Sequence, residues 1–258
     1  MSAEFPITRE IHSIGDLFEC AEIASKAFTY VVWFRGHADN SASWDLRPTV
    51  HRKFPNTGYE SALVMNFRRR ALSRHPRCPD SNDQAAWLCL MQHYGVPTRL
   101  LDWTESILVA AYFAVHNSKR ETDAAIWALS PVLLNQAFDL PHIPALSNPE
   151  LKPLMRPAFG ASGTDKGIIA TLYDEVDLRM LIQQGVFTIH ADRTPLEQLA
   201  DSQRFLQKYR IPQAAKSKLE WQLRLAGVSQ SKLFPDLQNL ASEITDQQER
   251  VLERKENA

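Results

Sequence analysis

Between residues 13 and 27, Leu17, Phe18, Ala21, Ile23, Ala24 and Ala27 recur close to helical spacing, which predicts a first helix. An unbroken β-branched and aromatic run follows at residues 29–34 and predicts a buried strand, ended at Arg35 and Gly36 by the backbone freedom of glycine. Residues 45–55, with Pro48 and Pro55, read as loop. Helices are predicted over residues 59–72, 84–94 and 105–116. The middle one is apolar on most positions and stops at Gly95, with Pro97 two residues on. Short strands or extended segments are predicted at residues 98–104, 124–129, 185–190 and 211–212. Residues 131–165, rich in Pro, Asn and Ser, read as a long excursion with some helix. Residues 167–175 give no clear pattern, residues 178–184 read as helix or extended, and residues 195–207 are polar with a helix. A helix over residues 216–226 ends at Gly227, and residues 236–258 form a charged helical tail, frayed beyond about residue 247.

Helices therefore bracket short strands with no regular βαβ rhythm, which favours an α+β fold over a doubly wound sheet. The expected architecture is a compact single domain over residues 1–240 (core about 20–240), with a small mixed or antiparallel sheet surrounded by helices. Residues 241–258 would be the tail. A length of 258 residues suits one large domain with its own core.

Charge narrows the partners. Lys plus Arg is 29 against 30 Asp plus Glu, so nothing in the balance advertises nucleic acid or an anionic membrane as a bulk partner. The N-terminus has no basic run followed by an apolar core, and the longest apolar segment, residues 107–115, is half of what spans a bilayer. The expectation is a cytoplasmic protein that does not engage membrane. Cys20, Cys78 and Cys89 are odd in number and widely spaced, forming neither a disulfide framework nor a zinc pattern. His75 and Cys78 lack a second ligand pair, so no metal site is expected. No GxGxxG or GxxxxGK[ST] segment offers a phosphate cradle.

Three segments concentrate chemistry. Arg35 leaves an apolar strand, where a guanidinium is costly to bury unless it meets an anion or carboxylate, and Gly36 lets a ligand or another backbone come close. Arg35 either binds phosphate or carboxylate, or forms a structural salt bridge, for instance to Asp102. The second segment, residues 92–104, packs Gln92, His93, Tyr94, Arg99, Asp102 and Thr104 between two apolar helices. Those groups must satisfy one another or a ligand. His93 is a candidate acid or base; Asp102 orients His93, pairs with Arg35 or pairs with Arg99. In the third, residues 179–187, Gln183 and Gln184 present amides to a ligand or cap the preceding backbone. Arg68, Arg69, Arg70, Arg74 and Arg77 form a basic cluster that reads as a solvated helix face more readily than as a nucleic-acid site, because no aromatic series accompanies it.

These segments resemble the FRG-domain family, named for the tripeptide at Phe34, Arg35 and Gly36. The similarity continues through Gln92, His93, Tyr94 and Gly95, then residues 97–104 and 111–114, and Gln183, Gly185 and Phe187. It reaches Leu225, Gly227 and residues 233–237, so it covers roughly residues 20 to 240. Proteins of this family are mostly bacterial and phage-associated, with poorly defined activity. A second resemblance is to arginine-type ADP-ribosyltransferases, which begin with an aromatic-Arg-Gly strand end and continue with a Ser/Thr-bearing strand leading into an Ala-x-x-Phe-Ala helix. Here these look like Arg35 and Gly36, then residues 101–104 with Ala110, Phe113 and Ala114. That resemblance implies NAD as substrate, with Arg35 and Gly36 at its phosphates or ribose and Thr104 or Ser106 at the nicotinamide ribose; Tyr94 and Arg99 complete the candidate nucleotide contacts. Arg35, His93, Asp102 and Gln184 are the candidate catalytic groups. The transferases carry a catalytic glutamate on a later strand, where this chain has Gln183, Gln184 and Gly185; Asp102 or Glu220 would have to supply the charge. Two other readings share the same residues. One is a noncatalytic module for a phosphate-bearing ligand or nucleic acid. The other is a phage-defence interaction protein whose polar motif is architectural.

Overall fold

The computed structural model describes residues 4–28, 31–41, 43–116, 121–173 and 178–256. Its sheet has seven strands in the order β1-β7-β4-β2-β3-β6-β5. These are β1 (Ile7–Glu10), β2 (Trp33–His37), β3 (Leu100–Thr104), β4 (Ala124–Leu129), β5 (Ile168–Thr171), β6 (Gly185–His190) and β7 (Leu206–Ile211). Only β1 with β7 is parallel; every other neighbouring pair is antiparallel. The α+β class holds, and the sheet is mixed. At seven strands it is larger than the sequence suggests.

Helices cover one face in two groups. On the β2, β4 and β7 half sit α1 (Ile14–Phe28), α5 (Ile107–Val115) and α9 (Lys216–Leu225). Their core joins Leu17, Cys20, Ala110, Ala114 and Leu219 to Phe34, Ile126 and Tyr209. On the β3, β6 and β5 half sit α3 (Thr57–Ala71), α4 (Gln84–His93) and α8 (Leu178–Gln183), whose core joins Val64, Leu88, Met91 and Met180 to Leu100, Phe187 and Ile189. The opposite face carries one aromatic-rich core built on Trp33, Trp103, Trp127 and Phe205. The short helices α2 (Thr49–Lys53), α6 (Pro131–Gln136) and α7 (Lys152–Met155) lie in segments expected to be loop or excursion. The chain closes with α10 (Gln230–Leu233) and α11 (Leu237–Glu256).

Strand β2 differs from its prediction. Thr29 and Tyr30 lie outside the described residues, and the strand runs through Arg35 and Gly36 to His37. Gly36 does not end the strand. Its role is proximity: a Cβ there would stand 1.9 Å from the Ala110 carbonyl oxygen and 2.8 Å from the Ala114 backbone nitrogen. Helix α5 can therefore lie flat on β2 only because position 36 has no side chain. Gly36→Ala is expected to cost about 1–3 kcal/mol or more, because the clash is with backbone and a rotamer change cannot relieve it. Thermal or urea unfolding of the variant checks this; an unchanged midpoint would show that α5 shifts freely.

Candidate functional site

Pairing in the middle of the sheet is uneven. β2 pairs with β4 over five residues and β3 with β6 over five, yet β2 and β3 are paired only at Phe34 and Thr104. Beyond that point the two central strands part. The His190 amide donates to the Arg99 carbonyl, so the alternation of an antiparallel ladder turns the peptide groups of Asp102 away from β6 and toward β2. The β2/β3 pairing does not extend to them. The Arg35 side chain does: its Nη1 donates to the Asp102 carbonyl oxygen at 2.5 Å, and its Nε donates to His37 Nε2 at 3.2 Å. The guanidinium thus bridges the split and occupies two of its three nitrogens. Among the described residues no acceptor meets Nη2 and no carboxylate lies within 4 Å of the group.

Above the split, where the two helical groups meet, lies a cavity of about 370 Å³. This falls within the ordinary range for small-molecule sites. Phe34, Arg35, Gly36, Asp102, Thr104, Gly185 and Phe187 line its sheet side. Cys89, Gln92 and His93 of α4, Val109, Ala110 and Phe113 of α5, and Arg179, Met180 and Gln183 of α8 form its walls, with Ala38 and Trp44 beside β2. The Asp102 carboxylate is exposed in it. One carboxylate oxygen accepts from Gln92 Nε2 at 2.7 Å, and the Gln92 amide is itself oriented by the Thr98 hydroxyl at 2.5 Å. Thr104 donates its hydroxyl to the Gln183 carbonyl, tying β3 to the end of α8.

Electrostatics follow from desolvation. Loss of water lowers Arg35 to about 10; the nearby Asp102 opposes that shift and Arg52 adds to it, so the group stays cationic at neutral pH. His37 is pushed well below the usual imidazole range, first by burial and then by Arg35, Arg52 and Lys208. A neutral His37 is what Arg35 needs, because only an unprotonated Nε2 can accept from Nε. His37 is not among the sequence candidates; its position two residues after Arg35 on one strand, hence on the same face, is the signal that points to it.

The structure brings Arg35, Gly36, His93, Asp102 and Thr104 to one cavity, and separates the other candidates from it. Arg99 is sealed in the interior: its Nε and Nη2 meet both carboxylate oxygens of Glu60, and its Nη1 meets the Leu154 carbonyl. It is a structural cation and does not pair with Asp102. Tyr94 is exposed at the end of α4 among the rings of Phe67, His75 and His93. Ser106 caps α5 by accepting from the Val109 amide. Gln184 is exposed at φ 47°, in the turn from α8 to β6. Gln183 is the glutamine that faces the cavity, and its amide donates to the Leu233 carbonyl. Glu220 lies on α9 against His116 and Arg224, away from the cavity. Arg179, absent from the candidates, is present in the wall; it lies four residues before Gln183 and so on the same helical face. Within the basic cluster, Arg68 is held between the rings of Trp87 and Phe159 and donates to the Ser81 carbonyl. Among the described residues no three His, Cys, Asp or Glu side chains gather as metal ligands, and no helix is long and apolar enough to cross a membrane.

A family model described as FRG domain matches residues 31–123, the segment that supplies β2, α4, β3 and α5 and with them most of the cavity. No curated protein and no solved structure matches the chain significantly.

Proposed function

We propose that the cavity over the β2/β3 split binds a phosphate-bearing nucleotide, with NAD as substrate for hydrolysis or ADP-ribosyl transfer. One observation carries the reading. Arg35 is fixed by His37 and the Asp102 carbonyl while its Nη2 remains unspent, in a cavity that also exposes the Asp102 carboxylate. A fixed guanidinium is a preorganised phosphate receptor. A carboxylate in the same enclosure stabilises the positive charge that grows on the ribose as the nicotinamide bond opens. In that step the C1′–N bond breaks, its electron pair leaves with nicotinamide, and an oxygen of water or of an acceptor bonds to C1′ and loses its proton. His93, on the α4 wall, is the base within the cavity to receive it.

Incubation with NAD, with and without cell extract as a source of acceptors, followed by chromatography of released nicotinamide, tests the proposal. Arg35→Ala is expected to lower release roughly 10- to 100-fold, the worth of charge-assisted hydrogen bonds to one anionic group. Absence of both nicotinamide release and saturable NAD binding would remove it. A second reading rests on Gln183: where a glutamate would serve catalysis, this side chain is an amide already given to Leu233. A noncatalytic nucleotide-binding module is the result if NAD binds saturably, Arg35→Ala abolishes that binding, and no nicotinamide appears.

A further inference from the structure

The cavity holds a second cation. Arg179 lines it from α8, and its surroundings are unusual for an arginine half-withdrawn from solvent. Its guanidinium lies 4.5 Å over the ring of Phe234. Its Nη1 makes one long hydrogen bond, 3.4 Å, to the His93 carbonyl. No carboxylate stands within 4 Å of it among the described residues, and its charge acts on the Asp236 carboxylate only from farther off. The ring beneath it is fixed in turn: Phe234 packs edge-on against Phe113, a cavity-lining residue of α5, with centroids 6.1 Å apart. The preceding carbonyl, that of Leu233, accepts from Gln183 Nε2 at 3.0 Å. One aromatic residue after α10 thus touches wall groups from α8 and α5 together. Arginine stacked on a ring is oriented without spending its donors, since the ring binds the cation's face and leaves the N–H edge free.

We propose that Arg179 is a second anion-binding residue of this site, positioned by Phe234, and that the ligand is a nucleotide carrying a diphosphate in preference to a monophosphate. This rests on the cavity being a nucleotide site and deepens that reading by naming the residue that meets the second phosphate of a diphosphate such as the one NAD carries. Arg35 and Arg179 both line one cavity, with Asp102 exposed in it as a counter-charge. A monophosphate satisfies one guanidinium and leaves the other partly desolvated and unpaired. A diphosphate distributes its oxygens between the two. Phe234 acts through Arg179 and does not itself contact the ligand.

The test is calorimetric binding of AMP and of ADP to the full chain and to the variants Arg179→Ala, Phe234→Leu, Phe234→Tyr and Arg35→Ala, each first checked for native circular dichroism. The wild-type chain is expected to bind ADP at least tenfold more tightly than AMP. Arg179→Ala should erase most of that ratio by weakening ADP and sparing AMP. Phe234→Leu, which keeps bulk but loses the ring face, should reduce the ratio as well, and Phe234→Tyr should restore it. Arg35→Ala should weaken both nucleotides. If neither AMP nor ADP binds the wild-type chain, the diphosphate assignment is overturned, and the nucleotide reading of the cavity fails with it only if NAD does not bind either. If both bind with equal affinity, or Arg179→Ala leaves the ratio intact, the cavity reading survives and the role of Arg179 is overturned. A lost ratio in Phe234→Leu that Phe234→Tyr does not restore assigns Phe234 to packing alone and overturns its positioning role.

Discussion

Lowering the pH from 7 to about 5 is expected to remove about 2 kcal/mol of folding stability through His51, and His37 and His190, also buried in the neutral form, lower it further in the same direction. His37, His51 and His190 are 2%, 4% and 0% exposed. Burial is the leading cause of depression in all three, reinforced at His37 by Arg35, at His51 by Arg193 and at His190 by His51; His51 is lowered to about 3 and the other two well below the usual range. Above pH 6.5 both folded and unfolded chains leave these rings neutral and the effect vanishes. Below it the unfolded chain takes up protons that the folded chain refuses, so stability falls as pH falls, by about 1.4 kcal/mol per pH unit and imidazole until the folded values are reached. Urea midpoints across this range measure it, and a midpoint independent of pH between 7 and 5 would refute the burial of neutral imidazoles. Because folded His37 stays neutral in this range, Arg35 Nε keeps its acceptor wherever the fold survives.

Replacing Glu60 by alanine should cost about 3–5 kcal/mol, the penalty of leaving a buried charge without its partner. Glu60 and Arg99 are each 1% exposed, and the carboxylate also accepts from the Arg99 amide. Removing it strands a guanidinium and a backbone N–H together. The double replacement Glu60→Met with Arg99→Met should recover much of the loss, since apolar groups of similar volume often replace a buried pair at little cost. On the proposed reading, the same double variant should bind nucleotide as well as the parent, because Arg99 does not line the cavity. Equilibrium unfolding and calorimetry read both outcomes; a Glu60→Ala loss below 1 kcal/mol would mean that Arg99 finds water.

The misassignment of Arg99 shows which parts of the site were legible in the chain. Helices α4 and α5 and strand β4 follow from local apolar patterns, and their bounds fall within a residue or two of those expected. The polar segment between α4 and α5 stands out because so many hydrogen-bonding groups sit between apolar helices. Whether each one faces the cavity or the core is decided by partners far along the chain. Glu60 claims Arg99 across 39 residues, and no local pattern announces it. Strand β7 was hidden for a related reason. Gln207, Lys208 and Arg210 make Leu206–Ile211 look polar, yet Lys208 is buried with its ammonium over the Trp127 ring and Arg210 pairs with Glu10 and Asp123. Strands β1 and β5, at four residues each, carry too little periodicity to register. The split between β2 and β3 lies beyond sequence altogether, because it is a property of pairing. The composition of the motif hints at it only through an arginine placed where a strand neighbour's amides would otherwise serve.

That arginine is the centre of the account, and a crystal structure of the protein grown with ADP-ribose tests it most directly. The expected result is a phosphoryl oxygen within hydrogen-bond distance of Arg35 Nη2, with Nη1 still donating to the Asp102 carbonyl and Nε to His37. Ligand density seated away from the seam between α4, α5 and α8, or Arg35 with Nη2 capped by a protein oxygen, would contradict it.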